Sequence, residues 1–264
     1  MSDYEYRGLM AEAWDLLRGD TSAWPDRAWF RTVIECQRGP ALDVGCGTGR
    51  LLLDYLAQGL DVDGIDVSPE MLALCRAKAA AAGLDVAGRL HLGGMQDLAL
   101  PRRYATIFVP SLSIQLLTDP ADITRALAAF HAHLVPRGRL ALSFSSVVWS
   151  SPEAAPPDGE WSQWEVDAEA VRTDGATVRR WTRGRFHPET RLLDETFRYE
   201  VIENGVVVFS ELQGRIPTIR IYALDEAIEL VRAADFSDVD ATRDSTFVPA
   251  GPGDGRFKIL ARRP

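Results

Sequence analysis

The sequence predicts an α/β fold, a doubly wound and mostly parallel sheet with a C-terminal antiparallel hairpin and an inserted antiparallel β segment. Three observations predict it. Up to about residue 146, short apolar runs alternate with helical stretches, the rhythm of a parallel sheet covered on both faces. The stretch ALDVGCGTGR (41–50) passes from an apolar run through three glycines into a helix-like segment. Beyond residue 164 the periodicity changes to long β-prone stretches broken by turn signals.

Taken in order, YRGLMAEAWDLLRG (6–19) and DRAWFRTVIECQ (26–37) read as two aromatic-rich helices separated by DTSAWP. Five strands follow: 40–44, 61–67, 86–92, 105–110 and 138–146, each bounded by Gly, Pro or an acid. Between them GRLLLDYLAQ carries Leu51, Leu52, Tyr55 and Leu56 at helical spacing. The next helix opens with Ser68 as N-cap and Pro69 at its first position, and TDPADITRALAAFHAHL opens the same way with Asp119 and Pro120. After a Pro-rich loop (151–164), the run from Thr177 to Ile216 holds the turn signals HPET and ENG and reads as three antiparallel strands. YALDEAIELVRAADF returns to helix, and SDVDATRDSTF with GRFKILARR reads as a final antiparallel pair. The expected organisation is therefore a core with N-terminal helices (1–146), an inserted antiparallel lid (147–221), and a helix and hairpin completing the core (222–264).

At 264 residues, 46% apolar and 25% charged, the chain has the composition of a globular protein with a sizeable core. Its net charge of −9 argues against a nucleic-acid partner, and no stretch approaches the roughly 18 apolar residues of a membrane span. Cys36, Cys46 and Cys75 show no metal-site or disulfide spacing, so no metal is expected and a reducing cytoplasm fits. The oligomeric state is left open, a homodimer being one option.

In an open α/β sheet, ligands bind beyond the carboxyl ends of the strands where strand order reverses. The glycine loop sits there. Gly45, Gly47 and Gly49 let a ligand lie against bare main chain. Arg50 stands where a dinucleotide fingerprint needs its third glycine, and no Gly-Lys-Ser/Thr phosphate loop is present. Asp43, just before the loop, would repel a pyrophosphate but suits an ammonium group. Asp66, at the end of the second strand, is placed to accept hydrogen bonds from both hydroxyls of a ribose, and Met71 to offer an apolar surface to a flat base.

This combination resembles the class I S-adenosylmethionine-dependent methyltransferases, which are Rossmann-like. LDVGCGTGRLL matches their first motif, DVDGIDVSPEML the acidic-strand motif, and HAHLVPRGRLALS the turn into the fifth strand; the resemblance covers roughly 38–146 and 222–263. It implies S-adenosyl-L-methionine as cofactor. Asp43 would orient its ammonium group, Gly45, Cys46, Gly47 and Gly49 would border its methionine part, and Asp66 would take the ribose. Val67, Met71, Met95, Gln96 and Pro110 would complete the cofactor site. Two positions depart from the family pattern: Gly94 stands where an acid commonly meets the adenine amine, with Gln96 or Asp97 as substitutes, and Ala105 stands where an aspartate is common.

The fourth-strand end reads VPSLSIQLL, which lacks the Asn/Asp-Pro-Pro-aromatic motif of amide and adenine methylation, the Pro-Cys of cytosine C5 chemistry and the acids of a metal-dependent catechol site. The insertion resembles the lid of small-molecule enzymes, including those acting on glycine or amino sugars. A methyl group would thus pass to N or O of a small metabolite. Tyr4, Tyr6, Ser111, Gln115, Arg220 and Tyr222 are the candidate acceptor-binding residues. Departure of a sulfonium's methyl leaves a neutral thioether needing no proton, so alignment dominates and no catalytic residue is assigned. His91, His131, His133 and His187 are not taken as the base. Two alternatives from other classes are a cofactor-binding regulatory protein without turnover and a nicotinamide oxidoreductase, the latter disfavoured by Arg50 and Asp43.

Overall fold

The computed structural model describes residues 6–148 and 156–264. The chain folds into two compact units: one combines the segment up to Thr21 with Val148–Arg220, the other Ser22–Val147 with Ile221–Pro264.

The second unit is built on a seven-stranded sheet. Its strands are β1 (Ala41–Val44), β2 (Val62–Asp66), β3 (Leu90–Leu92), β4 (Tyr104–Val109), β5 (Leu134–Ser145), β11 (Ser237–Arg243) and β12 (Arg256–Arg262), in the order β11-β12-β5-β4-β1-β2-β3. The first five run parallel, while β12 is antiparallel to β5 and β11 to β12. Chain order reverses between β1 and β4, so a crevice is expected beyond Val44 and Val109.

Helices cover both faces because their apolar residues recur at helical spacing. α6 (Pro120–His133) buries Ile123, Ala126, Leu127 and Phe130 against one face, joined by Ala227 and Val231 of α7 (Leu224–Arg232). α3 (Pro25–Gln37) buries Trp29, Phe30, Val33 and Ile34 on the other, with α4 (Leu52–Ala57) and α5 (Pro69–Ala81). Each large side chain so buried contributes about 1.5–3 kcal/mol. The predicted caps form: Met71 N donates to Ser68 Oγ at 3.1 Å, and Ala121 N to Asp119 Oδ1 at 2.8 Å.

Some boundaries differ from the sequence reading. The third strand, expected over 86–92, shrinks to Leu90–Leu92 because Asp85 accepts from Ala87 N at 2.9 Å, and Gly88 takes φ +71° in the turn that follows. The fifth strand starts directly after α6 at Leu134, with a register shift near Arg137 (φ +64°). The helix expected over 6–19 breaks at Ala13 into α1 (Gly8–Glu12) and α2 (Trp14–Arg18).

The other unit carries a five-stranded antiparallel sheet: β6 (Glu165–Val171), β7 (Thr177–His187), β8 (Leu192–Glu203), β9 (Val206–Gln213) and β10 (Ile219–Arg220). The order is β10-β8-β7-β6, with β9 also on β8. The three strands predicted between Thr177 and Ile216 are there. β6 and β10 were not predicted: EVDAEAV carries an acid at every second position, and β10 is two residues long. Leu9, Met10 and Ala13 close this unit's core with Ala176, Val178, Tyr199 and Val201. Arg183 lies between Trp161 (4.6 Å) and Trp164 (4.7 Å), and Arg198 over Trp181 (4.8 Å). These stacks account for aromatics that the sequence placed in a loop.

Candidate active site

The site is assembled from loops at the carboxyl ends of β1, β2, β3 and β4. After Val44 the chain turns sharply: Gly45 N and Cys46 N both donate to Ile65 O, at 2.8 and 3.1 Å. Gly47 has φ +55°, and a Cβ there would meet Met71 Cε at 3.2 Å; Gly49 has φ +83°, and its Cβ would fall 2.6 Å from Cys75 Sγ. A left-handed backbone pressed by neighbours accepts only glycine. The loop is therefore thin by necessity, with its main chain unshielded by its own side chains.

Asp43 is 1% exposed. Its Oδ1 has no hydrogen-bond partner among the described residues, and a backbone hydrogen bond from Leu52 reaches the carboxylate. Burial, opposed by the Arg50 guanidinium and reinforced by the charge of Asp66, pushes its pKa up to about 7. A buried carboxylate with an unused acceptor oxygen favours a cationic donor.

Asp66 ties the glycine loop to the end of β2. Its Oδ2 accepts from Gly47 N at 2.8 Å and its Oδ1 from Ser68 N at 2.9 Å. Burial raises its pKa while these two N–H groups oppose the rise. Each oxygen keeps a further lone pair. This tethering role is an addition to the ribose role expected from sequence. Arg50 forks onto Asp26 at 3.0 and 2.6 Å and lies 5.0 Å from the Trp24 ring, locking the loop to the start of α3.

Beyond β3, Gly93 N donates to Asp66 O at 3.0 Å, and a 3-10 turn covers Met95–Asp97. A Cβ on Gly94 would meet Gln96 Oε1 at 2.7 Å and Nε2 at 2.9 Å. The Gln96 carboxamide thus lies where a side chain at 94 would project.

Beyond β4 the loop is strained. Ser111 (φ +54°) and Leu112 (φ +65°) are consecutive left-handed residues other than glycine, each costing about 1–2 kcal/mol that the surrounding contacts must offset. Pro110 O accepts from Ser113 N (3.1 Å) and Ser113 Oγ (2.9 Å), and Gln115 Nε2 donates to Ser145 O at 3.0 Å while Ser145 N donates to Gln115 Oε1 at 2.7 Å. Ser113 lies close to Gly45, whose Cβ would be 3.0 Å from Ser113 Oγ.

The other expected residues distribute as follows. Met71 is buried against Gly47 and Met95 packs on the core, while Val67 is exposed. Cys46 is buried with its Sγ where a Cβ on Gly64 would lie, and burial raises its thiol pKa well above the usual value. Three acceptor candidates have structural engagements instead. Gln115 is fully buried and clamps β5, and Tyr222 packs edge-on to Phe144 at 5.7 Å in the core. Arg220 Nη1 donates to Thr190 O at 3.1 Å within the inserted sheet's unit. Ser111 is exposed on the strained turn. Tyr6 packs edge-on to Trp14 at 5.1 Å, and Tyr4 lies outside the described residues. Of the histidines, His133 accepts from Leu100 N at 3.2 Å and bonds Ala129 O at 2.8 Å, and His187 pairs with Asp194 at 3.0 Å. The strained Ser111–Leu112 turn and the clamp behind it were missed by sequence reasoning; the only signal was the run of small polar residues around it.

Comparison with known proteins decides among the readings of this loop system. A family profile described as a methyltransferase domain matches residues 41–138. The chain is an S-adenosylmethionine-dependent methyltransferase. This methyltransferase is 27% identical over 263 residues to a dTDP-3-amino-3,6-dideoxy-alpha-D-glucopyranose N,N-dimethyltransferase of Streptomyces fradiae, a match spanning 97% of this chain and 92% of the relative. It is similar to the S-adenosylmethionine-bound CalS10, an amino pentose methyltransferase from Micromonospora echinaspora, at 26% identity over all of both chains with a TM-score of 0.65. An S-adenosylmethionine-dependent methyltransferase from Clostridium acetobutylicum shares the fold at 18% identity and TM-score 0.73, over 95% of this chain and 96% of the other. The methyltransferase uses S-adenosyl-L-methionine to methylate a small molecule, and the comparisons give no support to cofactor binding without turnover. Among the described residues no helix is long and apolar enough to cross a membrane.

Proposed function

We propose that this methyltransferase transfers methyl groups to the amine of a nucleotide-linked amino sugar. The observation that carries this reading is the similarity to the Streptomyces fradiae sugar N,N-dimethyltransferase, which runs through the inserted segment as well as the core. When bound, the cofactor supplies a methyl carbon on a sulfonium, from which an amine lone pair displaces a neutral thioether.

The residues divide the cofactor among them according to their chemistry. Asp43 receives the ammonium group on its unused Oδ1, and the thin main chain at Gly45–Gly49 borders the methionine part. Asp66 accepts the ribose hydroxyls on the lone pairs not used by Gly47 and Ser68. Gln96, placed where a residue-94 side chain would reach, accepts from the adenine amino group through Oε1, with Val67, Met71, Met95 and Pro110 around the nucleoside. Ser111, held in an unfavourable backbone conformation behind the Gln115 clamp, presents the acceptor side of the loop. The proton lost by the methylated ammonium passes to solvent in this scheme, and alignment of the amine is the protein's main contribution. The enzyme works in a reducing cytoplasm, in keeping with three free cysteines.

The test is incubation with methyl-labelled cofactor and a dTDP-linked 3-amino-deoxy sugar, read by mass spectrometry. One or two added methyl groups on nitrogen are expected. Label on oxygen alone, or no transfer to any amino sugar while S-adenosylhomocysteine still binds, would overturn the acceptor assignment.

A further inference from the structure

The turn after β3 carries a carboxamide where an acid is expected, and the difference bears on the cofactor's base. Gly94 takes φ −83° and ψ 148°, a conformation open to any residue. The backbone therefore does not require glycine there, and what glycine provides is room: a Cβ would meet Gln96 Oε1 at 2.7 Å, Nε2 at 2.9 Å and Cδ at 3.0 Å. The Gln96 side chain is half-buried and makes no hydrogen bond to the described residues. Its acidic neighbour lies elsewhere, since the Asp97 side chain is 69% exposed and faces Arg125 at 4.0 Å.

A carboxylate only accepts hydrogen bonds, whereas a carboxamide sets an accepting oxygen beside an N–H donor. The last torsion of glutamine is broad and roughly twofold, and no protein partner holds Gln96 in one of its two orientations. Adenine presents a donor, its 6-amino group, beside an acceptor at N1. Hypoxanthine presents the reverse pair, an acceptor at O6 beside a donor at N1–H. One orientation of the carboxamide answers the first pair and the flipped orientation answers the second. We infer that Gln96 makes the cofactor site tolerant of the base, so that S-inosylhomocysteine, in which a carbonyl oxygen replaces the 6-amino group, binds about as tightly as S-adenosylhomocysteine. An acid in this place accepts from the amino group of adenine but sets its lone pairs against O6, and a carboxamide removes that repulsive element. The inference rests on the placement of Gln96 at the adenine edge proposed above and is independent of the acceptor.

Calorimetry of the full chain with each nucleoside at neutral pH, without acceptor, tests it. For the wild type the two dissociation constants should agree within about fivefold, less than one mismatched bidentate pair imposes. Gln96→Ala should weaken both by about tenfold, the loss of the shared contact. Gln96→Glu, nearly isosteric but accepting only, should hold S-adenosylhomocysteine within about tenfold of wild type and bind S-inosylhomocysteine about thirtyfold more weakly than that. A wild type that favours adenine by more than about fivefold would overturn the inference and point to a backbone N–H of the Met95–Asp97 turn on N1 in place of the carboxamide. Unchanged constants in Gln96→Ala, or a Gln96→Glu variant that still ignores the base, would overturn it equally. Binding of neither nucleoside would remove the site itself. The wild-type ratio needs no variant, so the inference stays open to refutation even where a variant does not fold. Failure of the amino-sugar assignment would leave every one of these constants unmoved.

Discussion

Replacing Asp43 by Asn separates what the fold needs from what the ligand needs. The carboxylate is fully buried and its pKa is pushed from 3.8 to about 7, so the folded state holds a proton that the unfolded state has released across that window. A folded-state pKa above the unfolded value means that stability falls as pH rises from about 4 to about 7, with the full cost present above 7. At about 1.4 kcal/mol per pH unit, the cost of ionising Asp43 in the fold is about 4 kcal/mol. Asn is nearly isosteric and never charges. The expected outcome is that Asp43→Asn matches the wild type near pH 4 and exceeds it by up to about 4 kcal/mol at pH 8, with the difference opening between those values. Urea denaturation at several pH values reads this directly. The same variant should lose the thermal stabilisation given by S-adenosylhomocysteine, about 3 kcal/mol for wild type at a hundred times the dissociation constant. A variant less stable than wild type at pH 8, or a difference that does not change with pH, would refute the account of Asp43 as an underpartnered buried acid.

Gln96→Ala should weaken S-adenosylhomocysteine binding about tenfold by calorimetry, the loss of one hydrogen bond, and adding Gly94→Asp should restore most of it by returning an acceptor to the space next door. Gly49→Ala forces a side chain onto Cys75 and Leu53 at φ +83°, with an expected loss of about 3 kcal/mol or more. Gly59→Ala, with φ +80° but open space around it, should cost about 1 kcal/mol; chemical denaturation of the pair isolates packing from backbone strain. Gln115→Leu leaves Ser145 N and O without their buried partners and should cost about 2–4 kcal/mol, with a larger fall in kcat than in cofactor affinity as the Ser111 turn loosens.

Much of the core was legible because its signals are local. Ser68-Pro69 and Asp119-Pro120 fix helix starts within two residues, and a glycine loop after an apolar run marks the switch point whatever the rest of the chain does. The third strand was overextended because Asp85 diverts its own backbone into a turn, a competition that apolar periodicity does not register. β6 was missed because an edge strand with acids on alternate positions looks like solvated loop. At the site, residue types named the ligand class, but not the division of labour. Tyr222 and Gln115 are polar residues near the right strand ends, yet one is spent on Phe144 and the other on Ser145. Such engagements depend on partners 78 and 30 positions away, and nothing in the neighbouring residues announces them. The strain at Ser111 and Leu112 is equally invisible, since neither residue type favours positive φ.

The chain's opening helices have a consequence for how the protein is made. Leu9, Met10 and Ala13 find their apolar partners in Val178, Tyr199 and Val201, and Leu9 N meets Glu211 Oε2 across 202 positions. At a ribosomal pace of about 5–20 residues per second, that pairing lags the emergence of the first helix by about 10–40 s. During biosynthesis a greasy leading segment therefore persists while the entire glycine-loop half is translated behind it, and chaperone dependence should be concentrated there.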